Sequence, residues 1–97
     1  FGLSIAEAMA CGLPVLAVDC GGAPDRIEGS GAGELYRHGC AVACEHAMRT
    51  LLARLGPGLR VAARRHAECA FSWRRSFDAL VDLYAELAAT ARRVAAA

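Results

Sequence analysis

The sequence predicts a mixed α/β chain, mostly helical with one or two parallel strands, equivalent to part of a doubly wound sheet. Three observations predict it. Val15–Val18 is a continuous apolar run, the pattern of a parallel strand buried on both faces. Gly21 and Gly22 follow at the carboxyl end of that strand, where open α/β sheets bind their ligands. In the second half of the chain, apolar residues recur at three- and four-residue steps, the period of helices.

The elements succeed one another in order along the chain. Ser4 and Glu7 fit a Ser-x-x-Glu capping box, which predicts a helix from Ser4 to about Cys11. Gly12 then reads as its left-handed cap, and Pro14 prevents continuation. After the strand, Ala23–Ile27 reads as one short helical turn with Pro24 in a tolerated first-turn position. Residues 29–33 read as a loop, and Glu34-Leu35-Tyr36 as a short edge strand before a turn at Arg37-His38-Gly39. Ala47, Met48, Leu51, Leu52 and Leu55 mark one buried stripe of the next helix, which Gly56-Pro57-Gly58 breaks. A helix over residues 59–70 has a thin apolar face of Val61, Ala62, Ala63 and Ala67. Ser72 is placed to cap a last helix, with Phe77, Leu80, Val81, Tyr84, Leu87, Ala88 and Ala91 along one side and Trp73 as its anchor in the core. No internal repeat is visible.

Composition excludes several classes of function. Ninety-seven residues make at most one small domain. Residues 1–48 hold two arginines and six acids, −4, whereas residues 49–97 hold nine arginines and four acids, +5. Arginines on the solvated faces of amphipathic helices account for that basic half. No basic run is interleaved with aromatics, so nucleic acid is not an expected partner. Five cysteines without a Cys-x-x-Cys pair, and three scattered histidines, give no metal site. An odd cysteine count and the lack of a signal segment point to a reducing cytoplasm. No apolar run approaches the roughly 20 residues of a membrane span.

The functional lead lies at the start of the chain. A helix that begins just after a glycine aims free backbone N–H groups at whatever precedes it, which suits an anion such as a diphosphate. Glu7, one turn in, holds a carboxylate suited to sugar or ribose hydroxyls. The competing reading makes Glu7 the reciprocal member of the capping box. The two are compatible, because a carboxylate offers about four acceptor sites. Gly2 reads either as a loop glycine with positive φ or as a position where a missing Cβ lets a ligand approach. Ser4 reads first as a cap. Gly21 and Gly22 are equally well explained as a simple turn, and Asp19 is undecided. His38, His46 and His66 have no partner at a spacing that specifies a triad and read as surface residues, as do Arg64-Arg65 and Arg74-Arg75.

Phe1-Gly2-Leu3, Glu7-Ala8-Met9-Ala10, Gly12, Pro14-Val15 and Gly21-Gly22 resemble the donor-binding signature of retaining GT-B glycosyltransferases of family four. There the pattern is Glu-x-Phe-Gly-Leu-x-x-x-Glu-Ala-Met-Ala-x-Gly-x-Pro-Val, then a strand, then Gly-Gly-x-x-Glu. Phe71-Ser72-Trp73 and the ending at Leu83-Tyr84 resemble the tail of the same fold. The resemblance implies the C-terminal part of a Rossmann-like nucleotide-sugar-binding domain, residues 1–97, with the acceptor domain and the first part of the donor domain absent. It implies donor contacts from the main chain of Phe1, Gly2, Leu3 and Ser4, and from Glu7 to the ribose. It places no catalytic residue and no metal within these residues. The family's first glutamate falls two positions before Phe1, so the fragment alone is expected to be inactive. Cys40 replaces the aspartate that usually opens the next helix, and Asp25 replaces the glutamate after Gly-Gly.

The function that this resemblance implies is transfer of a sugar from a nucleotide-diphosphate donor to a carbohydrate or lipid-linked acceptor, with no cofactor and no metal. The expected location is the cytoplasm, and peripheral contact of the intact enzyme with the inner face of the membrane stays open. The alternative is a non-catalytic nucleotide-sugar-binding or structural remnant of the fold. A related phosphorylase or epimerase is the third reading, which Phe-Gly-Leu followed by Glu-Ala-Met disfavours.

Overall fold

The computed structural model describes residues 2–97. It has seven elements in chain order: α1 (Leu3–Ala10), β1 (Val15–Val18), α2 (Ala23–Ile27), β2 (Gly33–Tyr36), α3 (Ala41–Ala53), α4 (Pro57–Ala70) and α5 (Trp73–Ala96). The expected class holds: a mostly helical α/β unit with two parallel strands, consistent with a portion of a GT-B domain.

β1 and β2 pair in parallel, in the register Val15 to Gly33 through Val18 to Tyr36. Parallel strands need a crossover of about a dozen residues or more, and residues 19–32, which contain α2, provide it. All four β1 residues are half-buried rather than buried on both faces as expected; among the described residues β2 is the one strand paired with β1.

α1 ends as its sequence dictates. The Leu13 N–H donates to the Ala8 carbonyl at 3.0 Å and the Gly12 N–H to the Met9 carbonyl at 2.9 Å, with Gly12 at φ 72°. These are the two bonds of a Schellman motif. Its start departs from expectation. Gly2 is the N-cap, at φ 65° and ψ 33°, and no side chain caps the helix. Ser4 therefore lies within the first turn, and the Ser4–Glu7 capping box does not form.

The core consists of Met9, Ala32, Leu51, Leu59, Ala63 and Ala67, with Ile5, Val15, Leu16 and Phe71 among the half-buried residues packed on it. Arg64 adds a polar tie between α4 and α1 by donating to the Ala10 carbonyl, so it is not simply a solvated arginine. Carbonyls in a last helical turn lack intrahelical partners and accept such donors. Arg54, after α3, bonds Glu34 of β2 at 2.7 Å and the Gly31 carbonyl at 2.5 Å.

Several apolar stripes are less buried than their spacing suggested. In α3 only Ala47 and Leu51 are buried, while Met48, Leu52 and, just past the helix, Leu55 are exposed. In α4 the buried residues are Leu59, Ala63 and Ala67, and Val61 points outward. No residue of α5 is buried. Trp73 is 78% exposed and stacks on Phe77 instead of anchoring the helix in the core. Ser72 is the α5 N-cap, but its side chain makes no capping bond. Periodicity reports an amphipathic face; burial requires a second surface against it.

Gly33 is fixed by close approach. A Cβ there would stand 2.6 Å from Ile27 Cγ2 and 3.1 Å from the Val15 carbonyl oxygen. One neighbour is a side chain locked in the α2–sheet contact, and the other belongs to the strand ladder. Overpacking of this kind costs about 1–3 kcal/mol. Gly33→Ala is expected to lose that much in urea unfolding, and a loss below about 0.5 kcal/mol would show that α2 can move away from the sheet freely.

Candidate functional site

α1 starts at Gly2, its N-cap, with no side-chain capping bond among the described residues. The Gly2 carbonyl accepts from the Ile5 N–H at 3.1 Å and the Ala6 N–H at 3.3 Å. Leu3 and Ser4 occupy the first two helical positions, whose N–H groups have no carbonyl one turn behind them. Leu3, Ser4 and Glu7 are all exposed and share one face of the helix, at the spacing that brings residues three and four apart together. Phe1 lies outside the described residues. The structure thus places three of the five expected donor-contacting positions, Leu3, Ser4 and Glu7, on one exposed surface, with the half-buried Gly2 next to them.

The turn at the end of β1 forms the neighbouring wall. A Cβ on Gly2 would meet Arg26 Cγ at 3.3 Å, the Gly22 carbonyl oxygen at 3.5 Å and Ile5 Cδ1 at 3.6 Å. The missing side chain therefore serves an internal contact with the Gly21-Gly22 turn and α2, besides permitting the left-handed backbone. In the sequence the two glycine motifs look independent. The fold places them against each other.

Arg26 and His66 were not legible as parts of this region. His66, expected at the surface, is half-buried, and its Nε2 is 3.0 Å from the Arg26 carbonyl oxygen. Its ring meets Phe71 edge-on, with centroids 5.3 Å apart, and the Arg26 guanidinium lies 4.9 Å from the same ring centroid. The contacts to Arg26 span forty residues or more of sequence, and no local signal announces them. His38 and His46 are exposed, as expected.

Cys40 is the α3 N-cap but makes no side-chain capping bond. The Ala43 amide and then the Arg37 guanidinium, 3.6 Å from Sγ, draw its thiol below the ordinary range. Asp19 lines a different cleft of about 550 Å³ with Glu28, Glu34 and the backbone of the Gly29–Gly33 region, away from α1. Among the described residues no three His, Cys, Asp or Glu side chains gather as a metal-ligating group. Among them, too, no helix is long and apolar enough to cross a membrane.

The chain belongs to the family described as glycosyl transferases group 1, whose model matches residues 1–54. Its relatives include the D-inositol 3-phosphate glycosyltransferase of Saccharomonospora viridis, 38% identical over 98% of this chain and 22% of that protein. The protein of the same name from Geodermatophilus obscurus is 41% identical over 96% of the chain and 21% of its own length. That of Mycobacterium tuberculosis H37Ra is 39% identical over 87% of the chain and 18% of its length. The chain spans about a fifth of the length of these relatives. No solved structure matches it.

Proposed function

We propose that this chain is the donor-binding part of a retaining glycosyltransferase, which moves a sugar from a nucleotide diphosphate to an acceptor hydroxyl. The observation that supports it is the start of α1 at Gly2, with Glu7 exposed on the face of Leu3 and Ser4 one turn later, in a chain of this family. The residues are read as the C-terminal portion of the donor domain, with acceptor recognition elsewhere in the intact protein.

Each group has a chemical task in this reading. As the sugar–phosphate bond breaks, negative charge grows on the departing diphosphate. Pre-aligned amides at a helix N-terminus stabilise that charge without reorganising. The Leu3 and Ser4 N–H groups take this role, and the main chain of Phe1 and Gly2 positions the sugar. Glu7 accepts from the ribose hydroxyls and fixes the nucleotide, so that the anomeric carbon of the sugar is held within reach of the acceptor hydroxyl. No resident cofactor or metal is assigned to this transfer; the remaining phosphate charge falls to basic side chains of the intact protein.

Product analysis tests the reaction class. The intact protein is incubated with UDP-, GDP- and ADP-linked hexoses labelled in the sugar, with D-inositol 3-phosphate as the first acceptor, following the relatives' name. The expected product carries the label on an acceptor hydroxyl with the donor's anomeric configuration kept. Label released only to water or phosphate removes the transferase reading. An inverted anomer removes the retaining one.

A further inference from the structure

We propose that His66 is a positioning residue for the donor diphosphate, acting through Arg26 on Gly2. The inference rests on the donor-binding reading above and adds a residue to it from α4.

α2 has five residues, too few to hold its own conformation. Arg26 lies in its last turn. His66 supplies a partner from α4, 3.0 Å from the Arg26 carbonyl oxygen. The side chain of the same residue is held as well, because its guanidinium lies over Phe71, the C-cap of α4. Phe71 in turn meets the edge of the His66 ring. Main chain and side chain of Arg26 are thus both fixed from one end of α4.

Arg26 is also what Gly2 rests against. Its Cγ is the atom nearest to where a Gly2 Cβ would stand, and the Gly22 carbonyl at the start of the same helix comes next. Gly2 is the left-handed N-cap that sets where the chain enters α1, immediately before the Leu3 and Ser4 amides. A shift of α2 by a few tenths of an ångström is therefore passed to the amides that meet the diphosphate. His66 touches no donor atom in this arrangement. Its effect is on where the amides sit.

The test compares His66→Ala with His66→Gln in the full-length chain, measuring KM for donor and acceptor and the melting temperature. A glutamine amide N–H can donate to the Arg26 carbonyl much as Nε2–H does. His66→Ala is expected to raise donor KM about tenfold, the size of one net hydrogen bond, with acceptor KM within about twofold. His66→Gln is expected to recover most of the difference. The proposal is overturned by a donor KM that does not change, by donor and acceptor KM rising together, or by a glutamine variant no better than alanine. Should His66→Ala fail to fold, Phe71→Leu keeps the apolar volume but removes the ring under Arg26, and it carries the same expectation: a raised donor KM supports the proposal, an unchanged one sinks it. A parent protein with no saturable dependence on any of the UDP-, GDP- or ADP-linked hexoses removes the donor-binding reading itself. A saturable parent unmoved by these variants removes only the role of His66.

Discussion

Glu7→Ala in the full-length chain is expected to raise the donor KM about 10- to 100-fold and to leave the melting temperature nearly unchanged. A hydrogen bond to a charged group contributes about 1.5–3 kcal/mol, and each 1.4 kcal/mol is about a factor of ten. If Glu7 holds the ribose equally in the ground and transition states, the loss falls on KM while kcat stays close to the parent. The stability half of the expectation comes from the fold. Glu7 is exposed, and α1 has Gly2 as its N-cap with no side-chain bond. Substitutions at such surface positions stay within about 0.5 kcal/mol. A capping-box role would reverse the pattern, because losing a cap costs about 0.5–2 kcal/mol of stability. Kinetics at limiting donor together with thermal unfolding of one variant therefore separates the two roles. An unchanged donor KM ends the assignment of Glu7 to the ribose.

That reversal shows where local sequence patterns reach and where they stop. Elements closed by their own residues were legible. Val15–Val18 is the strand expected, Gly12 and Pro14 end α1, and Pro24 opens α2 within its first turn. Each is decided by backbone sterics or by a continuous apolar run. The capping box at Ser4 failed because it is a four-residue pattern competing with a glycine two residues earlier. Gly2 adopts the left-handed region, its carbonyl takes the first helical bonds, and the helix starts before Ser4 can cap it. Glu7 keeps its place in the candidate site for a different reason than the box, namely its exposure on the face of Leu3 and Ser4.

Tertiary contacts were the illegible part. Gly33 looked like a loop residue, yet it is the first residue of β2 and is fixed by Ile27 from α2. His66 has nothing in its neighbourhood to announce a bond to a carbonyl forty positions away. Trp73 is expected to anchor α5 in the core, since large aromatics dominate cores, and it is among the most exposed large apolar side chains of the described residues. The α5 pattern gives an apolar side without giving the surface that side meets. These failures have one physical origin. A side chain's burial is a property of the pair of surfaces, and one element encodes only its own half.

Met9→Ala is expected to have the largest effect on stability, about 2–5 kcal/mol, the range for truncating a buried methionine. Met9 is 0% exposed and is the largest fully buried side chain among the described residues. Its surroundings limit recovery. Ala32, Ala63 and Ala67 make up half of the buried cluster around it, and alanines have no atoms with which to fill a neighbouring void. The cavity therefore persists, and its cost adds to the lost transfer energy. A chain of this size has roughly 5–15 kcal/mol in total, so the substitution removes a large share. The consequence for the site is specific. Met9 is the only buried residue of α1, so the helix that presents Leu3, Ser4 and Glu7 is anchored in the core by it, with Ile5 and Ala10 half-buried against the same cluster and Arg64 on the Ala10 carbonyl as further ties. Met9→Leu conserves volume and should cost less than about 1.5 kcal/mol. Urea unfolding of both variants, with donor affinity measured well below the transition, distinguishes global from local loss. If α1 depends on Met9 as argued, Met9→Ala loses donor affinity at urea concentrations where the rest of the chain is still folded, and Met9→Leu does not. A Met9→Ala variant within about 0.5 kcal/mol of the parent would mean that α1 is held by something other than its buried side.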